Sequence, residues 1–262
     1  CGLFATGKVL RRFGIPFTYL KNCNLEDECF AEGIDRFLRV CNVVKAFRNT
    51  RVLQISTRPF DFWSTMCNEG ELLEKFGIQL SPIPMPELTQ AMKDVKENSP
   101  EEIKEVTDYC REKMCIKVTP EQLDNVAALK IAMTRLGKKY GCNCGAIQCW
   151  NALQDEIGIM PCAANALCND EGFPIACETD IHGTITSVLV EAAAMGETRS
   201  FFADWTVRHP YNDNAELLQH CGPWPISIAK EKPTIDTPVA FDCSGSLMAQ
   251  AKDGEHISLV RF

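Results

Sequence analysis

Short β-prone runs alternate with helical segments along this chain, and that alternation constrains its fold more than any other feature. The runs fall at Arg51 to Ser56, Cys144 to Gln148, Pro174 to Glu178 and Ser200 to Asp204, with a further apolar stretch at Ile78 to Ile83. Between them lie helical patterns at about 61–76, 151–157, 163–171 and 182–195. Strands that alternate with helices imply right-handed crossovers and a sheet covered on both faces. The expected fold class is therefore α/β, a mostly parallel sheet flanked by helices (Rossmann-like), followed by the beginning of a β-rich domain.

Local signals sharpen the helices. Ser99-Pro100-Glu101-Glu102 and Thr119-Pro120-Glu121-Gln122 each combine a hydroxyl N-cap, proline at the first helical position and an acid or amide at the third. Residues 24–48 read as an amphipathic helix capped by Asn24, with Phe30, Ile34, Phe37, Leu38, Cys41 and Val44 on one face. Pro82, Pro84 and Pro86 punctuate a loop that leads into another short helix. Beyond residue 234 the character changes. Val239 to Asp242, Ser246 to Gln250 and His256 to Phe262 are β-prone, and Asp253-Gly254 is a hairpin turn signal. The expected divisions are residues 1–47, the remnant of an N-terminal domain with its connecting helix; residues 48–196, an α/β middle domain; and residues 197–262, the incomplete start of a C-terminal β-rich domain.

Composition narrows the function classes. With 262 residues, 45% of them hydrophobic, the chain can bury a sizeable core. A net charge of −8, without a basic cluster interleaved with aromatics, argues against a nucleic-acid partner. The apolar stretch from Ile185 to Met195 is broken by Glu191 and falls short of the ~20 residues of a membrane helix, so no membrane partner is expected. Neither an initiator methionine nor a signal pattern opens the chain, which reads as a fragment of something longer. Fifteen cysteines in a core-rich chain of this length read as reduced thiols of a cytoplasmic protein. Cys142-Asn143-Cys144 with Cys149 lacks the paired spacing of a structural zinc site and is expected as buried thiols on a strand.

Chemistry concentrates between Cys177 and Gly222. Glu178 ends one apolar strand and Asp204 another, so a parallel sheet would bring both carboxylates to one rim, where two acids can share a hard cation. A carboxylate after a strand also has a bland reading as a helix cap or surface group, and Asp180 suits the N-cap of the helix that begins near His182; Glu178, a poor cap flanked by apolar residues, does not share that reading. His182, His209 and His220, taken singly, read as structural groups, and His256 as a surface residue.

Glu178-Thr179-Asp180 with Gly183, the apolar helix after it, Phe202-Ala203-Asp204 and the turn His220-Cys221-Gly222 together resemble the L-fucose isomerase family, related in fold to L-arabinose isomerase. The resemblance runs from about Arg51 onward, and Gly145-Ala146-Ile147-Gln148 ahead of Trp150 falls where that family carries a substrate-contacting glutamine. It implies a cytoplasmic, homo-oligomeric aldose–ketose isomerase with a monosaccharide substrate. It also implies Mn²⁺, or another divalent cation, bound by a glutamate, an aspartate and a histidine. Glu178 and Asp204 match the first two ligands and the catalytic pair; the histidine is expected outside this chain. Gln148, Trp150, His220 and Cys221 match the sugar-contacting set. His220 and Cys221 stand where the fucose enzymes commonly carry an amide and a hydroxyl, and the Glu178 to Asp204 interval is longer, which leaves the sugar open, anionic ones included. With two of three ligands, the fragment alone is expected to be inactive.

Two other readings fit the same residues. One is a non-catalytic sugar-binding α/β module with Trp150, Trp205 and Trp224 as stacking surfaces. The other is a zinc hydrolase built on Glu178, Asp204 and His220.

Overall fold

The computed structural model describes residues 2–238, 242–254 and 256–262. It divides into two compact units, Cys1–Cys41 and Asn42–Phe262. The first contains α1 (Gly2–Arg12) and most of α2 (Glu28–Arg48). Leu20 packs closely on Gly33, where a Cβ would lie 2.1 Å from its Cδ2 and would force that side chain to move. α2 begins later than its Asn24 cap signal. Asn24 and Asp27 close a turn of their own, with Asn24 N–H donating to the Asp27 carboxylate at 2.7 Å. The apolar stripe of α2 stays uncovered: Ile34, Phe37, Leu38 and Val44 are exposed.

In the second unit, β1 (Arg51–Ile55) is followed by a 3₁₀ turn (Trp63–Thr65), α3 (Glu69–Glu71) running into a π turn (Leu72–Phe76), and β2 (Gln79–Ile83). The single helix expected over 61–76 is broken because Asn68 caps a fresh start, accepting from Glu71 N–H at 3.1 Å. Next come α4 (Met85–Asn98), α5 (Pro100–Lys113), β3 (Cys115–Ile116), α6 (Pro120–Tyr140), β4 (Cys144–Ile147), α7 (Ala152–Ile157), α8 (Cys162–Asp170), β5 (Ile175–Ala176) and α9 (Ile181–Ala193). Thr119 and Gln122 form the expected capping box on α6. Ser99 does not cap α5; its hydroxyl accepts instead from Arg135 Nη2 at 2.9 Å.

The central sheet has the order β2-β1-β4-β5, all parallel. Strand alternation sends Leu53, Ile55, Ile147 and Ile175 into a core with Leu88, Met92, Leu129, Met133 and Leu167 of α4, α6 and α8. It sends Val52, Cys144, Ala146 and Ala176 to the opposite face, under Ile181 and Ile185 of α9. Helices thus cover both faces, as a parallel sheet requires, and each fully buried side chain stabilises the fold by about 1.5–3 kcal/mol.

The segment expected as a strand at Ser200 to Asp204 is not one. Residues 200–203 run irregularly because their aromatics are anchors: Phe201 packs on Trp224 at 4.6 Å and Phe202 on His220 at 5.0 Å between ring centroids. Asp204 opens β6 (Asp204–Arg208), which pairs antiparallel with β7 (Glu216–Gln219), outside the parallel sheet. A third sheet joins β3, β8 (Thr234–Asp236) and β9 (Ser246–Met248). Of the expected β-prone runs, residues 239–241 lie outside the described residues. Residues 256–262 form no strand; Arg261 is drawn to Asp180 and Phe262 to Phe47, at 5.3 Å between ring centroids. Among the described residues no helix is long and apolar enough to cross a membrane.

Candidate functional site

The carboxyl ends of β1, β4 and β5 form one rim, and the backbone there is strained at each exit. Ser56 after β1, Asn151 after β4, and Glu178 with Thr179 after β5 all have positive φ, between 51° and 65°, without being glycine. Each such residue costs of the order of 1–2 kcal/mol, and such strain persists only where the surroundings over-determine it. For Glu178 and Thr179 the restraints are on view. Thr179 N–H donates to Ile147 O, Thr179 Oγ1 to Thr57 O and Thr65 Oγ1 to Glu178 O, at 3.0, 3.0 and 3.3 Å. The turn presses the Glu178 side chain into the protein, where the residue is buried.

Asp180 then caps α9, accepting from Gly183 N–H at 2.9 Å, and binds the Arg261 guanidinium through both oxygens. His182 sits in the first turn of α9 with its ring against Phe262. His209 Nδ1 accepts from Tyr211 N–H on the surface of the β6–β7 hairpin, and His256 is exposed.

Glu178 and Asp204 meet through His220. Its Nε2 lies 3.6 Å from Glu178 Oε2 and 3.9 Å from Asp204 Oδ2. The hairpin register makes this possible: Asp204 pairs with Gln219, so residue 220 emerges beside Asp204. The two carboxylates therefore converge by a hairpin folding back on the rim of the parallel sheet, and not as the ends of two neighbouring strands. His220 Nδ1 accepts from Gly222 N–H at 2.8 Å, which places the proton of the neutral ring on Nε2, facing the acids. Burial opposes a second proton on the ring, but hydrogen bonds with Cys221 and Glu178 and the Glu178 charge outweigh it and push the His220 pKa up to about 10. The side chain of Asp204 is 71% exposed. Partial desolvation, with Glu178 and Asp180 adding to it, nonetheless raises its carboxyl above the ordinary range, against the opposing pull of His220.

Of the remaining expected residues, Gln148 directly follows β4 on the same rim, with Oε1 accepting from Ser56 Oγ at 2.7 Å. Trp150 follows it and packs on Phe62 at 5.6 Å between ring centroids. Cys221 turns its thiol toward Cys162 inside the protein, a hydrogen bond that with burial raises its pKa. Trp224 is buried against Phe201, so it is a core residue and no stacking surface, whereas Trp205 is exposed on β6.

Sequence reasoning set Cys149 beside Cys142 and Cys144 and did not connect it with Cys177. Cys149 and Cys177 lie with Glu178 in a buried group whose ligand atoms are all within 4.8 Å of one another. Cys144, at the opposite end of β4, is separate from them and lies under α9 in the second core. The available signal was position: Cys149 and Cys177 stand at the exits of adjacent parallel strands, next to Gln148 and Glu178.

The family model for the N-terminal domain of fucose/sulfoquinovose isomerase matches residues 1–48. A sulfoquinovose isomerase of Alkalicoccus urumqiensis is 25% identical over 229 residues, covering 87% of this chain and 50% of that protein. Those of Priestia aryabhattai and Clostridium sp. (strain MSTE9) are 25% and 24% identical, covering 86% and 87% of this chain and 49% and 50% of their own lengths. The chain spans about half the length of the curated relatives it matches. The chain is thus similar over most of its length to sulfoquinovose isomerases, and over its first 48 residues to the N-terminal domain of the fucose/sulfoquinovose isomerases.

Proposed function

We propose that this chain supplies the carboxylate half of a metal-dependent aldose–ketose isomerase active site. The observation that carries the reading is the convergence of Glu178 and Asp204 on one imidazole nitrogen at the carboxyl rim of a parallel sheet. The relatives' shared name, sulfoquinovose isomerase, makes that sulfonated sugar the first substrate to assay. A homo-oligomer with a monosaccharide substrate is part of the same proposal.

Glu178 and Asp204 would hold a divalent cation, Mn²⁺ foremost, and the fit rests on the donor set: two carboxylates, one buried and one exposed with a raised pKa, converge on one imidazole nitrogen and offer the oxygen ligands a hard cation takes. A third ligand, a histidine, would come from outside this chain. Such a cation supplies charge that steadies the two adjacent oxygens of the sugar as a proton moves between their carbons. Glu178, fixed by its strained turn, serves as the base that takes the proton from one carbon and returns it to the next through an enediol. Asp204, more open to solvent, exchanges protons at the oxygens. The Nε2–H of His220 faces the gap between the acids and can donate to a hydroxyl held there; Gln148 and Trp150 complete the sugar-facing set on this chain, whereas the thiol of Cys221, turned toward Cys162, is no sugar contact.

The test is isomerisation of sulfoquinovose in deuterated water by the protein that carries this chain. Ketose formation with deuterium at C2, lost in Glu178→Gln, is expected. Sugar binding without ketose or exchange would support the binding-module reading instead, and metal-dependent hydrolysis with full zinc occupancy the hydrolase reading.

A further inference from the structure

The isomerase reading leaves two buried nucleophiles idle. Cys149 and Cys177 are each about 98–99% buried, stand at the exits of β4 and β5, and flank the carboxylate of Glu178. Cys149 Sγ lies 3.3 Å from Glu178 Oε1. We propose that Cys149, Cys177 and Glu178 form a second metal site, one that captures a thiophilic divalent cation of the Zn²⁺ class and removes Glu178 from the sugar site.

The geometry suits such an ion. Zn–S bonds of ~2.3 Å and Zn–O bonds of ~2.0 Å at tetrahedral angles need ligand edges of roughly 3.5–3.8 Å. The three ligand atoms already lie within 4.8 Å of one another, so only a small closure is required. Both sulfurs also accept N–H donors, as thiolates at metal sites do. Glu178 N–H reaches Cys149 Sγ at 3.3 Å, and Asn165 Nδ2 reaches Cys177 Sγ at 3.5 Å. Asn165 Oδ1, on the same buried amide, is without a hydrogen-bond partner. Thiolate donors select soft or borderline ions, whereas the acid pair Glu178 and Asp204 selects hard ones, so one carboxylate stands between two sites of opposite preference.

Binding balances as M²⁺ plus two thiols and one carboxylate giving the bis-thiolate carboxylate complex and two released protons. The thiol proton that Cys149 shares with Glu178 is one of the two displaced. The site itself does not depend on the isomerase reading; only its consequence, competition for Glu178, rests on it.

The experiment is a Cd²⁺ titration of the chain against a competing chelator, with neither sugar nor Mn²⁺ present, following the thiolate-to-cadmium charge-transfer absorption. Wild type is expected to hold one more tightly bound Cd²⁺ than Cys149→Ser or Cys177→Ser. Each substitution should weaken that ion by at least the ~10–100-fold that loss of an outer-shell partner alone costs. Cys115→Ser, at an exposed thiol, should leave it in place. Equal numbers of tightly held Cd²⁺ in wild type and Cys149→Ser would overturn the proposal; if Cys177→Ser does not fold, Cys149→Ser alone decides. If the chain binds Cd²⁺ this way while the protein that carries it never isomerises a sugar with Mn²⁺ supplied, the isomerase reading falls and this site stands.

Discussion

Replacing Gly222 by alanine probes the site through packing alone. A Cβ at residue 222 would fall 2.5 Å from His220 Nδ1 and 2.7 Å from Cys177 Sγ, about 1 Å inside ordinary contact. Neither neighbour can swing clear, since both side chains are buried and the His220 ring is wedged against Phe202. The backbone conformation of Gly222 is not among the positive-φ glycines, so space is the sole objection to alanine. Overpacking of this kind costs about 1–3 kcal/mol, and loss of the Gly222 amide bond to His220 adds about 0.5–1.5 kcal/mol. The expected destabilisation is therefore about 2–4 kcal/mol, a fall in melting temperature of roughly 4–16 °C for a unit of this size. Thermal denaturation by circular dichroism measures it. Gly70→Ala, whose Cβ would meet only Asn68 Oδ1 at 3.5 Å, should melt close to wild type. A Gly222→Ala protein that melts within a degree of wild type would refute the placement of His220 and Cys177 around that turn.

Other consequences can be checked alongside. Thr119→Ala should lose about 1 kcal/mol with the capping box, whereas Ser99→Ala, where no side-chain cap exists, should lose less than about 0.5 kcal/mol; equal losses in urea titration would contradict the two helix starts. Because the folded state raises the pKa of Asp204 above its unfolded value of about 3.8, ionising it works against folding once pH exceeds the folded pKa. In the metal-free chain Asp204→Asn should thus raise the melting temperature at pH 7, with the gain fading as pH falls from the folded pKa toward the unfolded value and gone below it. A gain that is unchanged at low pH would mean that charge is not its cause.

The parallel sheet was legible in the sequence because alternation, proline-led helix starts and the Thr119 box are all local signals, and the structure keeps the strands at Arg51, Cys144 and Ile175, the helix starts at Pro100 and Pro120 and the Thr119 box. Asp180 was legible as a cap for the same reason. The route by which Asp204 reaches Glu178 was not. Phe201 and Phe202 read as a strand by composition, yet they serve as anchors for Trp224 and His220, and β6 itself exposes Trp205 and Val207, so no burial period announces it. His220 joins the acids through the register of a hairpin, a pairing between residues 204 and 219 that no local pattern encodes. Cys149 and Cys177 were hidden by a spacing rule suited to zinc ribbons, while adjacency here is created by neighbouring strands. The strain at Glu178 and Thr179 was equally invisible, since neither residue type prefers positive φ.

Mn²⁺ affinity, read by electron paramagnetic resonance on the protein that carries this chain, tests most directly whether Glu178 and Asp204 hold a catalytic cation together. The account predicts tight Mn²⁺ binding that falls at least about tenfold in both Glu178→Gln and Asp204→Asn, each folded as wild type. Unchanged Mn²⁺ affinity in either variant would contradict it.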